Sequence, residues 1–160
     1  MKSFKHIGIG GTFDRLHAGH KLFLDIAAFY GQNIHVGLIS RNYLEIKPKN
    51  YNNIIQKYDK RRNEVKNYLA YRKSKCFFSK IDKPGMDRQL AEESELDALV
   101  ISQETFSGAI AINNQRVEND QRKLTIIVIP DVTREDRTLE SSTRIRKEKN
   151  REIFDDVKDF

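Results

Sequence analysis

The run Gly10-Gly11-Thr12-Phe13-Asp14-Arg15-Leu16-His17-Ala18-Gly19-His20 gathers side chains that could act on a phosphate. Glycines let a backbone approach a phosphate closely. A helix opening behind them would offer free N–H groups and a partial positive charge. His17 and His20, three apart, would share one side of its first turn. An imidazole donor there can bond phosphate oxygens, and bond them more strongly as charge builds in a transition state. Two other readings stay open: a metal pair, for which no third ligand is clustered nearby, and plain helix capping. The dinucleotide fingerprint fails, because Gly8-Ile9-Gly10 is followed by Phe13 where a third glycine belongs. The second strand ends in Ser40 and Arg41 with no acid, and no P-loop is present.

Two further runs carry phosphate-binding residue types. Ser141, Ser142 and Thr143 are helix-opening residues whose hydroxyls could also seat an anion. Arg146 adds a planar cation. Capping followed by surface arginines is the plainer reading of the same residues. Residues 101–116 read as a cap, Ser102 with Thr105, and then an amphipathic helix that carries Asn113 and Arg116. Glu104 sits inside that cap. Behind the second strand stand Lys47, Lys49, Tyr58 and Arg61, where each cation is also readable as part of a solvated helix face. No Ser-His-Asp or Cys-His arrangement is visible, so a covalent intermediate is not expected.

These runs need elements to position them. Residues 5–10, 33–39, 76–81, 99–102 and 124–129 read as strands, and residues 19–30, 53–71, 105–114 and 142–149 as helices. Gly31 should stop the first helix, and Pro130 should close the last strand. The continuous apolar run at 124–129 suits a strand buried on both faces. Alternating strands and helices imply an α/β fold with a parallel sheet of about five strands and helices on both faces. Ligands bind such sheets at the carboxyl ends of the strands, which points to the segments after Gly10, Ile101 and Pro130. One domain over residues 1–150 is expected, with 151–160 as a tail or short docked helix.

With 38% hydrophobic and 32% charged residues, the composition is that of a globular chain. No apolar run reaches the roughly 18–20 residues of a membrane span, and no signal peptide is expected. Cys76 is the only cysteine, which excludes an internal disulfide and suits a cytoplasmic location. The net charge is +6, but the basic residues are dispersed and lack a nucleic-acid-binding signature. Nucleic acid is therefore not expected as a partner, and neither is a membrane.

The run from Gly11 to His20 resembles the (T/G)-x-x-H-x-G-H signature of the nucleotidyltransferase superfamily, with the spacing matched in full. Ser141-Ser142-Thr143-Arg144-Ile145-Arg146 resembles its second signature, I-S-S-T-x-I-R, although Glu140 replaces the usual apolar residue before it. Ser102, Glu104, Thr105, Gly108, Ile112, Asn113 and Arg116 match the S-x-E-T-x-x-G-x-x-x-I-N-x-x-R stretch of one branch, the archaeal and eukaryotic phosphopantetheine adenylyltransferases. Tyr58 and Arg61 resemble that branch's P-Y-x-x-R, with Lys57 in place of proline.

The resemblance implies a Rossmann-like domain and adenylyl transfer from ATP, with Mg²⁺ carried on it, to 4′-phosphopantetheine. It gives His20, Lys47 (or Lys49) and Thr12 the catalytic roles. It gives Gly10, Gly11, Thr12, Phe13, His17, His20, Ser141, Ser142, Thr143 and Arg146 to the nucleotide. It gives Thr12, Lys47, Arg61, Ser102, Glu104, Thr105, Asn113 and Arg116 to the acceptor, and no protein metal ligand. A monomer or weak homo-oligomer is expected. The alternatives are a nucleotidyltransferase with another acceptor (nicotinamide mononucleotide, flavin mononucleotide, or glycerol phosphate with CTP) and a non-catalytic nucleotide-binding protein.

Overall fold

The computed structural model describes residues 1–130 and 142–158, apart from the side chains of residues 93, 142 and 152–158. Strand β1 (Phe4–Gly11) leads to helix α1 (Ala18–Tyr30), and β2 (Gly31–Ile39) to the short α2 (Arg41–Ile46). A 3-10 turn (Asn52–Ile54) precedes α3 (Tyr58–Tyr71), which returns to β3 (Lys75–Ile81). Helix α4 (Met86–Glu93), β4 (Ala98–Ser102), α5 (Phe106–Glu118), β5 (Thr125–Ile129) and α6 (Ser142–Lys158) follow. All strand pairs are parallel, in the order β3-β2-β1-β4-β5. The chain winds outward from β1 to β3 and then restarts at β4 on the other side of β1. That reversal leaves a crevice beyond the carboxyl ends of β1 and β4.

Helices cover both faces of this α/β, Rossmann-like sheet. On one face Ile7, Ile9, Ile34, Val36 and Leu38 pack with Leu24 and Ala27 of α1 and Val65 and Leu69 of α3. On the other, Leu99 and Ile101 pack with Ala91 of α4 and Ala109 of α5. Strand β4 is buried along most of its length, as a central parallel strand should be. The expectation of burial on both faces fails for β5. It pairs with β4 alone, and Val128 is 43% exposed. An edge strand has no further neighbour to carry helices across it, so an apolar run is not by itself a sign of full burial.

The long helix expected from residue 53 breaks at its start. Residues 55–57 are not helical, and at Gln56 both backbone groups bond to side chains instead. The Gln56 N–H donates to Asp14, and the Gln56 carbonyl accepts from Arg61. Two helices were not anticipated. Ser40 caps α2 by accepting from the Tyr43 N–H, and α4 opens behind Gly85, whose φ of 86° suits glycine. No helix of the described residues is long and apolar enough to cross a membrane.

Helix α1 joins β2 with no intervening loop, and Gly31 permits this. A Cβ there would lie 2.9 Å from the Ala27 carbonyl oxygen and 2.9 Å from the Ile34 Cδ1. Gly108, inside α5, has open space around it. Gly31→Ala should therefore destabilise the fold by about 1–3 kcal/mol, and Gly108→Ala should stabilise it by about 0.5–1 kcal/mol. Urea midpoints at constant slope read both, and a neutral Gly31→Ala would mean that the helix–strand joint has room to shift.

Candidate functional site

The loop from β1 to α1 is held in a costly shape. Phe13 and Arg15 both have φ of 49°, a left-handed conformation that bulky residues avoid. Strain of this kind persists only where the surroundings over-determine it. Here two anchors do so. The Phe13 ring is buried in the core cluster, 6.3 Å from the Phe23 ring and 5.4 Å from the His20 ring. Asp14, fully buried, accepts from the Gln56 N–H at 2.9 Å, from Arg15 Nη1 at 2.8 Å and from Arg146 Nη1 at 2.9 Å. Arg61 closes the loop from below. It donates to the carbonyls of Thr12, Ile39 and Gln56 at 2.7, 2.8 and 2.9 Å.

His17 is the N-cap of α1, and its Nδ1 accepts from the Gly19 N–H at 3.1 Å. That bond fixes Nδ1 as the acceptor nitrogen of the ring. The His20 ring stacks on it, with centroids 3.8 Å apart. Burial, then the neighbouring His17, lowers the His20 pKa from 6.5 to about 3. His20 is thus a neutral imidazole at pH 7, and its buried Nδ1 has no partner among the described residues. Lys49 Nζ donates to Thr12 Oγ1 at 2.6 Å. Burial first, then Arg146 and Arg61, lowers the Lys49 pKa below its ordinary value.

The carboxyl edge of β1 therefore gathers Gly10, Gly11, Thr12, His17, His20 and Lys49, with Thr143 tied in through Arg146. Both candidate lysines are exposed; Lys49 reaches Thr12, whereas Lys47 is the C-cap of α2. Ser102, Glu104 and Thr105 follow the neighbouring strand β4. The Thr105 hydroxyl donates to the Ser102 carbonyl at 3.1 Å, and Glu104 is exposed. Ser141 lies outside the described residues, as does the side chain of Ser142.

Four expected ligands are placed elsewhere or otherwise engaged. Asn113 is buried and exchanges two hydrogen bonds with the backbone of Leu124, at 2.9 and 2.7 Å. Arg116 is buried and donates to the carbonyls of Arg122, Ala91 and Ser94. Both bond to backbone just before or around the amino end of β5, whereas Thr12 follows the carboxyl end of the central strand β1. Arg61 touches backbone carbonyls, and Arg146 touches Asp14, Asn50 and Thr143. The residue that the sequence reading passed over is Asp14. It lay inside the motif, yet no local spacing ties residue 14 to residues 56 and 146.

Residues 9–148 match the family model described as Cytidylyltransferase-like. The chain is 37% identical over 131 residues to phosphopantetheine adenylyltransferase of Pyrococcus furiosus, covering 81% of this chain and 79% of that protein. To the enzyme of the same name from Pyrococcus horikoshii it is 38% identical over 137 residues, covering 81% and 80%. Among solved structures, a protein with unknown function from Archaeoglobus fulgidus superposes with a TM-score of 0.64 at 28% identity, covering 86% of this chain and 97% of that one. Pantoate-beta-alanine ligase from Francisella tularensis, at 15% identity and a TM-score of 0.57, covers 94% of this chain and 66% of its own, and shares the fold.

Two predictions follow from these placements. Between pH 6.5 and about 3 the unfolded chain binds a proton at His20 that the folded chain refuses. Stability from this group is complete above pH 6.5 and falls with pH through that window, by up to about 1.4 kcal/mol per unit. In urea unfolding, the stability difference between wild type and His20→Gln should therefore shift against the wild type from pH 7 to pH 4, and parallel curves would rule out a histidine held neutral. Asn113→Leu strands two buried backbone groups and should cost about 2–4 kcal/mol of stability with the acceptor KM unchanged. A raised KM at unchanged stability would return Asn113 to the binding surface.

Proposed function

The chain belongs to the cytidylyltransferase-like family, and we propose that it transfers the adenylyl group of ATP to 4′-phosphopantetheine, giving dephospho-coenzyme A and pyrophosphate. The observation that carries nucleotidyl transfer is the cluster of Thr12, Lys49 and the stacked His17–His20 pair at the carboxyl end of β1. The acceptor rests on the phosphopantetheine adenylyltransferases that this chain resembles at 37–38% identity.

The reaction asks for position and charge stabilisation more than for acid–base chemistry. A phosphate monoester has a second pKa near 6, so the acceptor is largely a dianion at neutral pH. One of its oxygens attacks the α-phosphorus of ATP in line. The new P–O bond forms as the bond to pyrophosphate breaks, and no proton need move. A neutral His20 suits this chemistry: it donates a hydrogen bond to the α-phosphate oxygens as their charge grows, without first having to lose a proton. Thr12 Oγ1 accepts a hydrogen bond from Lys49 Nζ, which leaves its own O–H free to donate to the acceptor phosphate. Lys49 is the lysine we place between the two phosphates, in preference to Lys47. His17 and the start of α1 are the groups we assign to the nucleotide phosphates, with Thr143; Ser141 and Ser142 are assigned there from the motif alone.

Among the described residues no group of three or more His, Cys, Asp or Glu side chains could hold a metal ion. Asp14 is committed to two arginines. We place Mg²⁺ on the triphosphate, as part of the substrate. The dispersal of basic residues and the reduced Cys76 fit a cytoplasmic enzyme that works as a monomer or weak homo-oligomer, without nucleic acid.

Pyrophosphate release should occur with ATP and 4′-phosphopantetheine and not with nicotinamide mononucleotide, flavin mononucleotide, or glycerol phosphate plus CTP. Release with another pair would keep the chemistry and replace the acceptor; silence across the panel would favour a binding protein. His20→Ala should lower kcat by about 100-fold or more with a smaller change in ATP affinity. Lys49→Ala should lower kcat/KM more than Lys47→Ala, and the reverse order would hand the bridging role to Lys47.

A further inference from the structure

We propose that Arg146 is a positioning residue, a buried latch that makes the loop of Thr12–His20 and the start of α6 a single unit; this rests on reading that edge as the nucleotidyl-transfer site. Its side chain is 2% exposed. Each guanidinium nitrogen has its own partner. Nε donates to the Asn50 carbonyl at 3.1 Å, Nη1 to Asp14 Oδ2 at 2.9 Å, and Nη2 to Thr143 Oγ1 at 3.1 Å. Three segments far apart in sequence meet on one cation.

Three of the five guanidinium N–H donors are committed to these partners, and the side chain is almost wholly enclosed. Removing either partner of the buried Asp14–Arg146 pair would strand the other charge, so the pair holds its surroundings in place. Arg146 therefore acts through its partners. Through Asp14 it holds a loop in which two non-glycine residues have positive φ. Through Thr143 it fixes a hydroxyl: an oxygen that accepts from Nη2 directs its own proton elsewhere, toward an anion at the helix start. Lys49 does the same for Thr12 on the other side. The two hydroxyls that face phosphate are thus oriented by cations behind them, and Arg146 links one of them to the loop that carries the other.

The test is a double-mutant cycle of Asp14→Asn and Arg146→Met, with Arg146→Lys as a milder variant should either fail to fold. It has three readouts: kcat, pyrophosphate affinity by calorimetry without acceptor, and amide hydrogen exchange of residues 12–16. A latch predicts that Asp14→Asn, which touches no phosphate, lowers kcat as much as Arg146→Met does, about tenfold or more, and that the double variant is no worse than either single one. It also predicts faster exchange at residues 12–16 in Arg146→Met, while pyrophosphate affinity stays within about threefold. Arg146→Lys should recover part of kcat by keeping the charge opposite Asp14. A phosphate ligand would behave differently. Arg146→Met would weaken pyrophosphate binding about tenfold or more, Asp14→Asn would not, and the effects would add. That pattern, or unchanged exchange at residues 12–16, overturns the proposal. A wild type that binds neither ATP nor pyrophosphate would instead remove the nucleotidyl-transfer reading, and the exchange data would still decide whether the latch exists.

Discussion

One buried carboxylate holds this site together. The Asp14 carboxylate is fully buried and bonded by Arg15, Arg146 and a backbone N–H. A charge removed from water is expensive unless its partners are close and its lone pairs are filled. Here they are, and the partners come from the loop itself, from the segment before α3 and from α6. The free energy that buries Asp14 is thus available only when all three segments are in place. The strained backbone at Phe13 and Arg15 is a consequence, since nothing local would keep those residues there.

The same constraint explains how a chain with a net charge of +6 commits several arginines to internal ties among the described residues. Arg61, Arg116 and Arg146 read from sequence as ligands, and all three serve as internal ties. Each guanidinium satisfies backbone carbonyls that no strand or helix would otherwise pair. Arginine suits this work because its planar fork can meet three acceptors at fixed angles. What remains for a polyanion is a helix start, two hydroxyls, two imidazoles and the lysines of the 47–49 segment.

Much of this was legible in the sequence, and the rest was not for physical reasons. The strand–loop–helix around Gly10–His20 could be placed because glycines, histidine spacing and apolar periodicity act within a few residues of one another. The parallel sheet followed from alternation, which is also local. The role of Asp14 was not legible, because its partners lie 42 and 132 positions away and only the fold brings them together. Asn113 and Arg116 were misplaced for a related reason. A motif records which residues occur together but not which edge of a sheet they reach, and α5 carries the two away from the site that its own start faces.

A site built on buried ties rather than on free cations suits a reaction in which charge moves without being created. Two anions must be brought together and then released as two anions. Strong fixed cations would bind substrate and product as tightly as the transition state and so would not speed the chemical step. A neutral imidazole and oriented hydroxyls discriminate better. Their hydrogen bonds gain most when charge concentrates on the α-phosphate oxygens and lose that gain once pyrophosphate departs. The depressed pKa of His20, which burial causes, then suits the proposed transfer. A ring already protonated at pH 7 would sit beside His17, Lys49 and Arg146 as one more permanent cation, and would hold on to both ends of the reaction alike.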